Sequence, residues 1–187
     1  MMLYLVEFAN WDSQSKIGYG CGNNSAVQAV GASDSMQYHT GTMQASRTTY
    51  GVGVQYRYIE GLWDNAYDWC DGIYFADTSV YCIKNPSSFS DTTGGTNIGT
   101  RPASSGYISA WTSPSATGFE YALYPSGTAG SSTTYVCDYY GYNSTGVVLC
   151  VGGSYGQDLS RGAFYLLGSG GVSYAYSGIS CRLQKLP

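Results

Sequence analysis

Two short stretches close to the C-terminus step with a period of two, and that period limits what the end of this chain can become. Phe164 and Leu166 alternate with Tyr165 and Leu167, while Ile179, Cys181 and Leu183 alternate with Ser180, Arg182 and Gln184. Successive side chains of a β-strand point to opposite faces, so this spacing predicts half-buried strands with Phe164, Leu166, Ile179, Cys181 and Leu183 turned inward. Between and beside them lie Tyr155, Gln157, Asp158, Ser160, Arg161, Ser169, Val172, Tyr174 and Tyr176. A Tyr/Ser/Gly/Asp vocabulary adds little to a core and much to a recognition surface. Tyrosine offers a large area with few rotatable bonds and a polar tip, and serine and glycine adapt around it. The segment reads as contact residues carried on strands. Tyr155, Tyr165, Tyr174 and Tyr176 would be aromatic anchors, and Asp158, Ser160, Arg161 and Ser169 polar contacts.

With 187 residues the chain is long enough for one domain with a sizeable core. Its 26 glycines, 20 tyrosines and only 11% charged residues describe a turn-rich, aromatic-rich β protein rather than a disordered chain. A net charge of -4 and the lack of any Lys/Arg run argue against nucleic acid and anionic lipid as partners. The longest apolar stretches, such as Val147 to Val151, fall far short of the ~20 residues of a membrane-spanning helix, so no membrane insertion is expected. The opening MMLYLVEFANWD has no basic flank, and Glu7 interrupts its apolar run, so it does not read as a secretory signal. Either a signal has been removed or the protein leaves the cell by another route.

Taken in order, Leu3 to Phe8 predicts an opening strand, and Asn10 to Tyr50 predicts loops with short elements. Gly18, Gly20 and Gly22 predict a tight bend; without a flanking strand and helix or a Lys-Ser/Thr pair they make no phosphate site. Gly51 to Tyr58 alternates as a strand. The steps then lengthen: Ile59, Leu62, Trp63, Ala66, Trp69, Cys70 and Ile73 recur every three or four residues, which predicts an amphipathic helix over Ile59 to Cys70. Trp63 and Trp69 would be its core anchors. Asp64, Asp68 and Asp71 would point outward, and no calcium loop surrounds them. Gly72 to Lys84 predicts a hairpin, Ile73 to Ala76 and Ser79 to Ile83, joined through Asp77-Thr78. Asn85 to Ser105 predicts a long polar loop. Further strands are expected at Gly106 to Trp111, Phe119 to Tyr124, Thr134 to Asp138 and Gly146 to Val151, the last a continuous apolar run and therefore central. Asn143-Ser144-Thr145 matches a glycosylation sequon and is read as a turn.

Gly152-Gly153-Ser154-Tyr155, Arg161-Gly162-Ala163-Phe164-Tyr165-Leu166 and Ser177-Gly178-Ile179-Ser180-Cys181-Arg182-Leu183 together resemble the ending of the variable proteins diversified by diversity-generating retroelements. That family includes phage receptor-binding tropism determinants. It has a C-type lectin fold and is similar in its closing pattern to formylglycine-generating, sulfatase-modifying domains. The stretch GLWDNAYDWCDGIYF around Trp63 is a second patch of the resemblance. It implies an α+β, C-type lectin-like fold: short antiparallel strands, one or two helices and long loops, as a single domain over residues 1–187, with a variable region at 152–183. In the family, adenines of a template repeat are mutagenised. Tyr155, Asp158, Ser160, Leu167, Ser169, Val172, Tyr174 and Tyr176 are residues that an AAC-type codon then yields, and Gln157 is not. The implied function is non-covalent ligand binding by a receptor-binding protein at the tip of a phage tail fibre or on a cell surface. Its partner would be a host cell-surface protein or glycan, and the chain a homo-oligomer such as a trimer.

No catalytic constellation stands out, so no enzyme, cofactor or metal site is expected. A nucleophilic triad would have to use His39, which has no nucleophile motif near it. Glu7, Glu60 and Glu120 are the only glutamates, and nothing pairs them for glycoside cleavage. The six cysteines, Cys21, Cys70, Cys82, Cys137, Cys150 and Cys181, show no C-x-x-C spacing and are expected as free thiols. Cys181, near the position of reactive cysteines in sulfatase-modifying relatives, is read as packing inward. Two alternatives stay open. One is a particle or decoration domain whose tyrosines pack between subunits, and the other is a sulfatase-modifying-like enzyme.

Overall fold

The structure, a computed structural model, describes residues 20–21, 25–29, 31, 40–42, 53–61, 63, 65–134, 138–157 and 160–180. These divide into two compact units. The first draws on Met1–Trp69, Val151–Tyr165 and Ala175–Pro187, and the second on Cys70–Cys150 and Leu166–Tyr174.

In the first unit β1 (Gly41–Thr42), β2 (Val54–Tyr56) and β3 (Ile59–Glu60) form an antiparallel sheet in that order. The β2–β3 turn places Arg57 and Tyr58 at φ 47° and 70°. This is the mirror-image turn that follows the twist of a hairpin, built here from residues with side chains that resist it. Next come buried Trp63 and Asn65. Asn65 imitates a strand neighbour: its Oδ1 accepts from the Gln28 backbone N–H at 2.8 Å, and its Nδ2 donates to the Gln28 carbonyl at 2.9 Å. The first residues of β4 (Tyr67–Ala76) then pair in parallel with β13 (Ile179–Ser180), Tyr67 opposite Ile179 and Asp68 opposite Ser180.

In the second unit a mixed sheet runs in the order β6, β5, β4, β11, β12, β10, β7. Its strands are β5 (Ser79–Cys82), β6 (Thr96–Thr100), β7 (Gly106–Tyr107), β10 (Tyr139–Tyr142), β11 (Val148–Val151) and β12 (Leu166–Gly170). The tight β4–β5 corner uses Asp77 at φ 50°, a conformation that Asp tolerates better than most residues. A separate ribbon pairs β8 (Ala110–Thr112) with β9 (Tyr124–Gly127). Phe75, Val80, Cys82, Ile98, Phe119 and Tyr124 make the core, and the Cys82 thiol is free and buried there. Arg101, also buried, donates to the carbonyls of Asp77 (2.8 Å), Gly168 (2.6 Å), Asn143 (3.1 Å) and Gly146 (3.2 Å). Its guanidinium lies 3.9 Å over the Phe75 ring and 5.0 Å over that of Tyr142.

Several expectations are corrected. The fold is not α+β: the described residues form thirteen strands and one 3-10 turn, Pro86–Ser88, and no α-helix. The C-type lectin-like description, which requires helices, falls with it. The expected helix over Ile59 to Cys70 is a hairpin end, a bend and the start of β4. Its three- and four-residue spacing joins residues of separate pieces: Ile59 lies in β3, Trp63 in the bend after Gly61, and Trp69, Cys70 and Ile73 in β4, a strand rich in aromatic residues that favour it and accommodating Gly72 at φ 78°. Asp68, expected outward on that helix, is buried and accepts a hydrogen bond from Ser180 Oγ at 2.6 Å; Asp71 is exposed.

The Asn85 to Ser105 loop contains β6, whose Ile98 reaches the core. Phe119 to Leu123 is a turn ahead of β9, and the strand expected at Gly106 to Trp111 is split between β7 and β8. The hairpin through Asp77-Thr78 and the mid-sheet place of Val148–Val151 are as the sequence predicts. The stretch Leu3 to Phe8, His39, Asp64, Cys137, Asp158 and residues 181–187 lie outside the described residues.

Candidate functional site

Leaving β11, the chain turns sharply through Gly152 and Gly153, both at positive φ (86° and 78°), where a side chain would be strained. A Cβ on Gly153 would also run into Arg161. That turn delivers residues 154–157, and two bonds of one side chain hold them. Gln157 Oε1 accepts from the Ser154 backbone N–H at 2.9 Å, and Gln157 Nε2 donates to the Tyr165 hydroxyl at 2.9 Å. The Tyr155 backbone N–H donates to the Asn65 carbonyl at 3.1 Å, which fixes the Tyr155 backbone.

Beneath this loop the Tyr67 and Tyr165 rings lie 5.8 Å apart, both buried, and Tyr176 meets Tyr67 edge-on at 6.3 Å. Burial first, and then the neighbouring Tyr165 phenol, push the Tyr67 hydroxyl far above the ordinary tyrosine range, so it stays protonated. A hydrogen bond with Ser154 pulls the other way without offsetting this. Tyr176 is 40% exposed. Its ring rests against Gly178, where a Cβ would collide with it, and the Tyr155 hydroxyl and Ser177 Oγ lie 3.4 Å apart.

In the second unit, β12 explains why alternation misleads. Leu166 and Leu167 are both buried, because Leu167 sits opposite Gly141 of β10 in the space that residue leaves open. Phe164 and Tyr165, just before β12, are likewise both buried. Ser169 is half-buried. Beyond it Val172 (52%) and Tyr174 (36%) are exposed, and Tyr174 lies against Gly170 as Tyr176 does against Gly178.

The predicted contact residues therefore separate. Val172, Tyr174 and Tyr176 are exposed, and Tyr155, Gln157, Ser160 and Ser169 are half-buried. Arg161 (1%), Tyr165 (3%) and Leu167 belong to the interior and cannot touch a ligand from there. Tyr67, Asn65 and the glycines at 170 and 178 were missed. Their roles depend on pairing across more than a hundred residues or on backbone contact, and no local pattern announces either. Among the described residues no group of three or more His, Cys, Asp or Glu could hold a metal, and no helix is long and apolar enough to cross a membrane. The arrangement offers aromatic surface and neutral hydroxyls, hence stacking and hydrogen bonding. Compared with protein-family models, with curated proteins and with solved structures, the chain matches none.

Proposed function

We propose that this chain is a recognition module, a receptor-binding protein of the retroelement-diversified kind, that binds its ligand non-covalently through exposed residues of its C-terminal third. The observation that carries the reading is a division of exposure within one short segment. Residues 164–168 are all buried, while residues 172–177, Val-Ser-Tyr-Ala-Tyr-Ser, are all exposed. Scaffold and contact residues thus alternate in blocks, and not residue by residue. Tyr174 and Tyr176 are the aromatic anchors, with Tyr155, Ser160, Ser169 and Val172 beside them in sequence; Arg161, Gln157 and Tyr165 hold the scaffold. Display on a phage tail fibre or a cell surface belongs to the same reading, and many copies there would strengthen modest single contacts.

The test is the triple substitution Tyr155→Ser, Tyr174→Ser, Tyr176→Ser. The melting temperature is expected to stay within a few degrees, since exposed substitutions such as those at 174 and 176 usually cost under ~0.5 kcal/mol each and half-buried Tyr155 somewhat more, while binding to intact target cells is lost or redirected. Unfolding of the triple variant would overturn the reading. Its genetic counterpart is a near-copy of the coding region for residues 150–187 beside a reverse transcriptase gene, differing only at adenines.

A further inference from the structure

We propose that the Tyr155, Tyr176 and Ser177 surface of the first unit takes a neutral saccharide, a choice of ligand class that rests on the recognition reading above. Area argues first. A tyrosine presents on the order of 200 Å², so Tyr176 at 40% exposure leaves on the order of 80 Å² outside, and half-buried Tyr155 adds less. Each partner of a stable protein pair buries about 800 Å². The aromatic surface here is a small part of such a patch, and by itself it is the size of one or two sugar rings.

Chemistry argues second. Tyr176 is held by Gly178 and by the edge of Tyr67, so the ring is set before a ligand arrives. Beside it two hydroxyls, Tyr155 OH and Ser177 Oγ, stand 3.4 Å apart, each able to donate and to accept. A pyranose offers the complement: a C–H face to lie on the ring and adjacent hydroxyls to meet the pair. Charge argues third. Among the described residues of the first unit, Asp68 and Arg161 are buried, and Arg57 and Glu60 belong to the β2–β3 hairpin. A stacked nucleobase would bring phosphates that need cations, and Tyr155, Tyr176 and Ser177 supply none.

The full chain is titrated with neutral hexasaccharides of glucose, mannose, galactose and N-acetylglucosamine, by saturation-transfer NMR and calorimetry, at low and high salt. At least one is expected to bind, with affinity changing less than twofold between ~50 and ~500 mM salt, since no ion pair is screened. Tyr176→Ala should weaken it at least tenfold at an unchanged melting temperature. Gly178→Ala, which keeps the tyrosine and displaces its ring, should weaken it too. Binding of no hexasaccharide, or binding indifferent to Tyr176→Ala, overturns the inference. Tyrosine-dependent binding to intact cells in a chain that ignores every sugar would overturn the saccharide class alone. Absence of both would overturn the recognition reading as well.

Discussion

Four backbone carbonyls and two aromatic rings converge on the guanidinium of Arg101, a cation withdrawn from water. Burial lowers its pKa, and the nearby Tyr140, Tyr142 and Asp77 act in the opposite direction. The carbonyl oxygens replace the lost hydration, and the rings add cation–π attraction. Arg101→Met would strand those carbonyls, so a loss of about 2–4 kcal/mol in urea unfolding is expected. Arg101→Lys should recover little, because an ammonium point charge cannot reproduce a planar fork with five donors. Gly168 belongs to the same cluster: a Cβ there would clash with the Arg101 guanidinium. In the sequence Arg101 is one more polar residue in a run of Ser, Thr, Gly and Pro. Its partners lie 24 to 67 residues away, so nothing local distinguishes it.

Among the elements, the β2–β3 hairpin carries the clearest local conflict. Arg57 and Tyr58 occupy backbone conformations that an Asn-Gly pair fills with far less strain. The double substitution Arg57→Asn, Tyr58→Gly should stabilise the chain by about 1–2 kcal/mol, read as a higher melting temperature. The bond from the backbone N–H of residue 57 to Thr40 Oγ1 would survive that change. Elements defined by short-range signals were legible: the Asp77-Thr78 corner by its turn residues, and β11 by an unbroken apolar run. The segment from Ile59 to Ile73 was not. Its apolar spacing fits a helix as well as it fits a turn followed by a kinked strand, and only Asn65 reaching Gln28, and Tyr67 meeting Ile179, decide between them. In the site, exposure was legible by composition at Tyr174 and Tyr176. It was misjudged at Tyr165 and Leu167, because a period of two assumes that one sheet face is open.

For the molecule as a whole, the abundance of tyrosine sets its alkaline limit. Burial pushes the Tyr140 phenol up to about 12, despite the opposing charge of Arg101, and pushes Tyr67 further. Both bind their protons more tightly folded than unfolded, where a tyrosine titrates near ~10. The stability linked to this is complete below pH ~10 and is lost as pH rises, through about 12 for Tyr140 and beyond for Tyr67. The expected outcome is cooperative alkaline unfolding, with part of the tyrosinate absorbance appearing only at the transition. Tyr140→Phe should lessen the pH dependence between 10 and 12.

Tyr174 and Tyr176 rest on the bare backbone of Gly170 and Gly178. A partly exposed ring that lies on main chain leaves, when it is shortened, a gap open to solvent more than a sealed void, although Tyr176 would also give up its edge contact with Tyr67. Positions 174 and 176 are therefore places where a different side chain could sit with little adjustment of the main chain beneath it.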